Sequence, residues 1–139
     1  MPRWGAVAPS EADRPDAARA AEIVAALGSV DVGQAAVVAR GVCLGVEAVA
    51  GTDALLASVA ALPAALRAPG RAGLLMKAPK PGQDRRVDLP ALGPDTVDGA
   101  ARAGLAGIAF EAGGVMLLDR AAAVARADET GLFLWARGA

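Results

Sequence analysis

Short apolar runs alternate with alanine-rich stretches of helical periodicity along almost the whole chain, and this alternation limits the folds open to it more than any other feature. "DAARAAEIVAALG" reads as a helix started near Asp13 and Pro15 and stopped at Gly28, with Ile23, Val24 and Leu27 as its buried stripe. "QAAVVARGVCLGVEAV" reads as two strands around a hairpin turn at Arg40-Gly41. "GTDALLASVAAL" is a helix with Thr52 as its expected N-cap and Pro63 beyond its end. "AGLLMKA", Ala72 to Ala78, is a buried strand, and Gly93-Pro94-Asp95 opens a further helix reaching about Gly104. "AGIAF" and "GVMLL" read as two strands, and Gly113-Gly114 between them is either a hairpin turn or a place where a ligand approaches the backbone closely. Asp119 is the expected cap of the helix "RAAAVARADET", closed by Gly131, and "LFLWA" is the last strand. Strands alternating with helices predict an α/β fold: a single domain with a mixed β-sheet flanked by helices, since the hairpin breaks a wholly parallel order. Residues 1–15, with Pro2, Gly5, Pro9 and Pro15 and no apolar period, read as a linker ahead of a domain spanning 16–139.

At 139 residues the chain is long enough for a real core. No apolar run approaches the ~20 residues that span a bilayer, and the first residues lack the apolar stretch of a signal peptide. With one cysteine, Cys43, no internal disulfide can form, so the expectation is a soluble, intracellular protein. The chain has no histidine, which removes every mechanism needing an imidazole base or ligand from these residues. It has no tyrosine and few other aromatics, which argues against stacking platforms for nucleic acid. A metal here would be a hard cation on oxygen ligands, Mg²⁺ or Mn²⁺.

Formal net charge is −1, but between Arg67 and Asp88 six cations stand against two carboxylates, a local net charge of +4. A cationic field in a mildly acidic chain predicts an anionic ligand. Most of it lies in "KAPKPGQDRRVDLP", Lys77 to Pro90, where Pro79, Pro81 and Pro90 restrict the backbone and the loop leaves the end of a buried strand, where α/β proteins place their sites. Lysine and arginine grip phosphate oxygens, while carboxylates hold a divalent cation or orient a water. A second cluster is "VEAVAGTDALL", where Glu47 and Asp53 flank a strand-to-helix turn whose exposed N–H groups suit an anion. Asp31 and Gln34 around Gly33 read as a turn, and Glu111 is a further candidate metal ligand. No Walker pattern occurs.

"DVGQAAVV", "VEAVAGTDALL", "KAPKPGQDRRVDLPALGP", "AARAGLAGIAFEAGG" and "GLFLWA", in this order, resemble the carboxy-terminal domain of the UDP-2,3-diacylglucosamine pyrophosphatase family of lipid A biosynthesis, the metal-dependent branch unrelated to calcineurin-type phosphoesterases. The resemblance covers nearly everything from about Asp16. It implies hydrolysis of a lipid-linked UDP-sugar to UMP and 2,3-diacylglucosamine 1-phosphate with Mg²⁺ or Mn²⁺, in a cytoplasmic protein with peripheral contact to the inner membrane and no nucleic-acid partner. It also implies an amino-terminal Rossmann-like domain that this chain lacks, so an excised half or a truncated form is expected. By the same resemblance the essential aspartate falls on Asp84, with Asp88 second. Lys80, Gln83, Arg85, Arg86 and Thr52 are the expected substrate-binding residues, and Asp53 and Asp84 the expected metal-binding ones, with Glu47 as a substitute ligand. The family's turn reads Glu-Gly-Thr-Asp; here Ala50 precedes Gly51, and Glu47 is the nearest carboxylate to replace the missing one. With no histidine present, Asp84 or the cation is left to activate the water. The alternative is a binding module that holds a lipid phosphosugar or nucleotide without chemistry.

Overall fold

A computed structural model describes residues 3–67, 70–80 and 90–138. Its main sheet has five strands in the order β2-β1-β3-β5-β7: β1 is Ala35–Ala39, β2 Val42–Val46, β3 Leu74–Lys77, β5 Gly107–Glu111 and β7 Phe133–Arg137. β3, β5 and β7 run parallel, and β1 is antiparallel to both β2 and β3. The sheet is mixed, as the sequence predicts. The hairpin turn also falls where expected, with positive φ at Arg40 and Gly41.

Period-two alternation divides the strands between two cores. Ala36, Val38, Leu74, Met76, Ala109, Phe133 and Trp135 face α1 (Asp13–Ser29), which buries Ala17, Ala20 and Val24 against them. Ala35, Val37, Leu75, Ile108, Phe110, Leu134 and Ala136 face the other way, toward α2 (Thr52–Ala60), α3 (Pro94–Arg102) and α4 (Arg120–Thr130). The buried stripe of α1 thus corrects the expected one: Ile23 and Leu27 are only half-buried. The small residues at 17 and 20 let the helix axis approach the sheet closely, and larger side chains flank that contact. Asp16 pins the same helix to the hairpin, its carboxylate accepting the N–H groups of Arg40 (3.0 Å) and Gly41 (2.8 Å).

The second correction concerns "GVMLL". It forms no hairpin with β5, because both edges of β5 are already taken by β3 and β7. The chain turns at Gly113 (φ 76°), and β6 (Met116–Leu117) pairs in parallel with β4 (Ala91–Leu92), a small sheet the sequence did not suggest. One cap differs: Gly51, not Thr52, is the N-cap of α2. Asp119 is the N-cap of α4 as expected, in a left-handed conformation and without a side-chain capping bond. Residues ahead of α1 lie on the fold: Trp4 N–H donates to the Leu134 carbonyl (2.9 Å), and its ring packs on Phe110 beneath Arg120.

Gly107 on β5 lies opposite Phe133 on β7, and a Cβ at Gly107 would stand 2.3 Å from the Phe133 ring. Gly107→Ala is expected to destabilise the fold by about 1–3 kcal/mol through overpacking. Urea denaturation measures this, and a smaller loss is expected when Phe133→Leu is present as well.

Candidate functional site

The site is built where the parallel strands end. β3 is held on both sides, Lys77 pairing with Ala35 of β1 and Phe110 of β5, so its last residue cannot leave the sheet. By alternation the Lys77 side chain follows Leu75 onto the face covered by α2 and α3. It is only 7% exposed. A buried ammonium needs oxygen acceptors, and it has two: the Thr52 hydroxyl (2.9 Å) and the Ala91 carbonyl (2.7 Å). The Thr52 hydroxyl in turn donates to Glu47 Oε2, while Glu47 Oε1 accepts the Gln34 N–H (2.9 Å). A donor chain therefore runs from cation through hydroxyl to carboxylate, and the Gln34 N–H donates to that carboxylate from the other side.

Antiparallel β2 brings Glu47 to this edge, because its end lies beside the start of β1. Glu47 is 9% exposed. Gly33 is what lets the segment before β1 press against it: a Cβ there would fall 2.1 Å from the Glu47 carbonyl oxygen. Gly51 precedes Thr52 with φ of 91°, a conformation that favours glycine.

Lys77 opens onto a cleft of about 430 Å³ lined by Gly51, Thr52, Asp53, Ala91, Gly93 and Asp95 among others. The N-terminal ends of α2 and α3 both meet there. Burial lowers the Lys77 pKa from its ordinary 10.5, against the opposing pull of the Glu47 and Asp53 carboxylates. The folded chain therefore holds this proton less tightly than the unfolded chain. The cost of burying the charge is present at neutral pH and is relieved as pH rises through the lowered folded value toward 10.5, so this residue makes stability increase with pH across that window.

Of the residues expected to act, the structure brings together Glu47, Thr52 and Asp53. Thr52 serves neither as a cap nor as a free hydroxyl; it is the link between Lys77 and Glu47. Both Glu47 oxygens are engaged in hydrogen bonds, whereas Asp53 is exposed and lines the cleft. Lys80 lies at the same edge, bonded at 2.6 Å to Asp31, whose carboxyl it holds below the ordinary 3.8. Gln83, Asp84, Arg85, Arg86 and Asp88 lie outside the described residues. The segment that carries them leaves after Lys80 and returns at Pro90, and Lys77 holds its returning arm through Ala91. Lys77 itself was missed as a site residue. The expected strand already runs through Lys77 to Ala78, but the sequence groups the lysine with the charged segment that follows; a lysine closing the apolar run "LLM" is the signal for a buried cation.

The donor set available to a metal is all oxygen, as Mg²⁺ or Mn²⁺ requires. Among the described residues no three of His, Cys, Asp and Glu cluster closely enough to hold an ion. Mg²⁺ ordinarily takes one or two carboxylates together with substrate phosphates, and Asp53 at the cleft is a carboxylate of that kind. Among the described residues no helix is long and apolar enough to cross a membrane.

The lysine environment is directly measurable. Lys77 and Lys80 are the only lysines in the chain. In [ε-¹³C]lysine-labelled Lys80→Arg protein the remaining signal is expected to titrate below 10.5, and lower again with Glu47→Gln. A midpoint at or above 10.5 contradicts the buried placement.

The LpxI C-terminal domain family matches residues 2–135. A curated relative, the UDP-2,3-diacylglucosamine pyrophosphatase LpxI of Caulobacter vibrioides, is 50% identical over 134 residues, which cover 95% of this chain and 48% of the relative. The chain thus spans about half the length of the curated relative it matches. The match runs through every element that builds the Lys77–Thr52–Glu47 edge, and the chain belongs to the LpxI C-terminal domain family.

Proposed function

We propose that this chain is the carboxy-terminal half of a UDP-2,3-diacylglucosamine pyrophosphatase, which hydrolyses the diphosphate of a diacylated UDP-sugar to UMP and 2,3-diacylglucosamine 1-phosphate. The observation that carries the reading is the cleft at the C-terminal edge of the parallel strands. Its polar floor is Lys77 bonded to Thr52, and the segment bearing Asp84, Arg85 and Arg86 starts and ends beside it. Open α/β sheets place ligands at this edge.

The diphosphate carries negative charge that repels an attacking water. Arg85, Arg86 and Lys80 offset that charge, Arg by forked bonds and Lys as a point charge. Lys80 exchanges its bond to the exposed Asp31 carboxylate for phosphate oxygens. Asp84 orients the water and takes its proton. Asp88 supports Asp84 from the same segment, and Gln83 donates to the substrate. Asp53 and Asp84, with Glu47 behind them, would hold Mg²⁺ or Mn²⁺. When bound, that ion neutralises charge that develops on the phosphoryl oxygens. The remaining half of the protein closes the cleft from the other side, and a cytoplasmic location with peripheral membrane contact suits a diacylated substrate.

The test supplies this chain with the amino-terminal half of the Caulobacter relative and follows UMP release from UDP-2,3-diacylglucosamine in Mg²⁺ or Mn²⁺. Hydrolysis is expected, abolished by chelation, and reduced about 10²–10⁴-fold by Asp84→Ala. Unchanged hydrolysis in that variant overturns the role of Asp84. Substrate binding without cleavage at any metal concentration establishes the binding-module reading instead.

A further inference from the structure

We propose that Lys77 contacts the substrate directly, its ammonium taking a phosphoryl oxygen of the diphosphate at the floor of the cleft. The inference rests on the hydrolase reading above and adds to it a residue that belongs to the strand rather than to the charged segment.

Three observations converge on Lys77. The first is its cost. The other residues of β3 are apolar, and Lys77 is 7% exposed. A methionine or leucine would fill the same space without desolvating a charge, and such replacements of buried ionic groups are often neutral or stabilising. The sheet does not need an ammonium there, so packing alone does not account for it.

The second is its geometry. Among the described residues its partners are the Thr52 hydroxyl and the Ala91 carbonyl, two acceptors for an ammonium that carries three N–H donors. These bonds fix Nζ from two sides, one on the first turn of α2 and one on the arm returning from the charged segment. Lys77 nevertheless lines the open cleft. A cation held in this way keeps its position whether or not a ligand is present, so little side-chain entropy is lost on binding.

The third is the surrounding field. The N-terminal ends of α2 and α3, each nine residues long, open on the same cleft, and both N-caps are glycine. The space a Cβ at Gly51 would occupy is open, and the positive ends of two helices add to the ammonium in favouring an anion. Asp53 and Asp95 are exposed at the rim. They are placed to meet a cation or a sugar hydroxyl, while Lys77 lies at the floor. The occupant this arrangement selects is a phosphate group flanked by hydroxyls or by a divalent ion.

Two measurements test the inference apart from the reading it rests on. In the two-half protein, Lys77→Met is expected to lower kcat/KM at least 100-fold with the thermal midpoint kept or raised. Lys77→Arg is expected to recover part of that loss, and Thr52→Val to raise KM more than it lowers kcat. In the single-lysine Lys80→Arg chain labelled at lysine Cε, inorganic pyrophosphate is expected to move the Lys77 signal saturably, and Thr52→Val to weaken that response. If the two-half protein is active and Lys77→Met retains kcat and KM within twofold, the inference is overturned and the hydrolase reading stands. If the two-half protein is inactive yet pyrophosphate still moves the Lys77 signal saturably, the anion contact stands and the hydrolase reading falls. If Lys77→Met fails to fold, the Lys77→Arg kinetics and the pyrophosphate titration decide: no recovery and no shift overturn the inference.

Discussion

A positive charge is buried at the end of β3, and the residues around it are arranged by that fact. Hydrogen bonding to β1 on one side and β5 on the other prevents Lys77 from turning outward, so its charge must be answered where it lies. An uncompensated buried ammonium costs several kcal/mol. The answer comes from two elements distant in sequence: Thr52 on the first turn of α2 and Ala91 on β4. Thr52 can accept from Lys77 because its own proton is directed to Glu47, and Glu47 is steadied by the Gln34 amide. A glycine at 33 is required for that amide to come close enough. One charge thereby fixes the mutual positions of the hairpin, a helix start and both stems of the charged segment.

The sheet topology explains why this happens at one edge only. β1 runs against β3, so the start of β1 and the end of β2 lie beside the end of β3. Residues that precede or follow strands, Gln34 and Glu47, thus join residues at the tip of a strand. On the opposite face α1 packs through alanines and holds the hairpin turn through Asp16, and it contributes nothing to the cleft. The two faces have separate tasks: one clamps the sheet, while the other carries the helices whose N-termini open on the site.

Much of this was legible in the sequence. Glycine and proline marked the ends of α3, α4 and the hairpin, and the alternation of elements gave the α/β class. What was not legible depended on contacts between distant segments. Nothing local to "GVMLL" shows that β5 has no free edge, so its pairing with β4 could not be read from the turn at Gly113. The buried face of α1 follows Ala17 and Ala20 rather than the larger Ile23 and Leu27, because close helix–sheet contact favours the smaller residues. Thr52 has the sequence look of a cap, and only the arrival of Lys77 and Glu47 gives its hydroxyl another use. Glu47 and Asp53 were found as a pair, but their different surroundings, one buried in bonds and the other open to the cleft, follow from the fold. The segment with Asp84, Arg85 and Arg86 lies outside the described residues, and its reading still rests on sequence.

On the proposed function, the two lysines would divide the handling of an anion between them. Lys80 is bonded at 2.6 Å to Asp31, whose carboxylate is exposed, and an ion pair with an exposed partner contributes little to stability. Lys77 is the opposite case. Its desolvation was paid when the chain folded, and Thr52 and Ala91 hold it in one place. A preorganised charge in a water-poor setting stabilises charge that develops during reaction far better than one that must reorganise as it does so. The strand that fixes Lys77 therefore contributes to the proposed site a cation whose position is set by the fold.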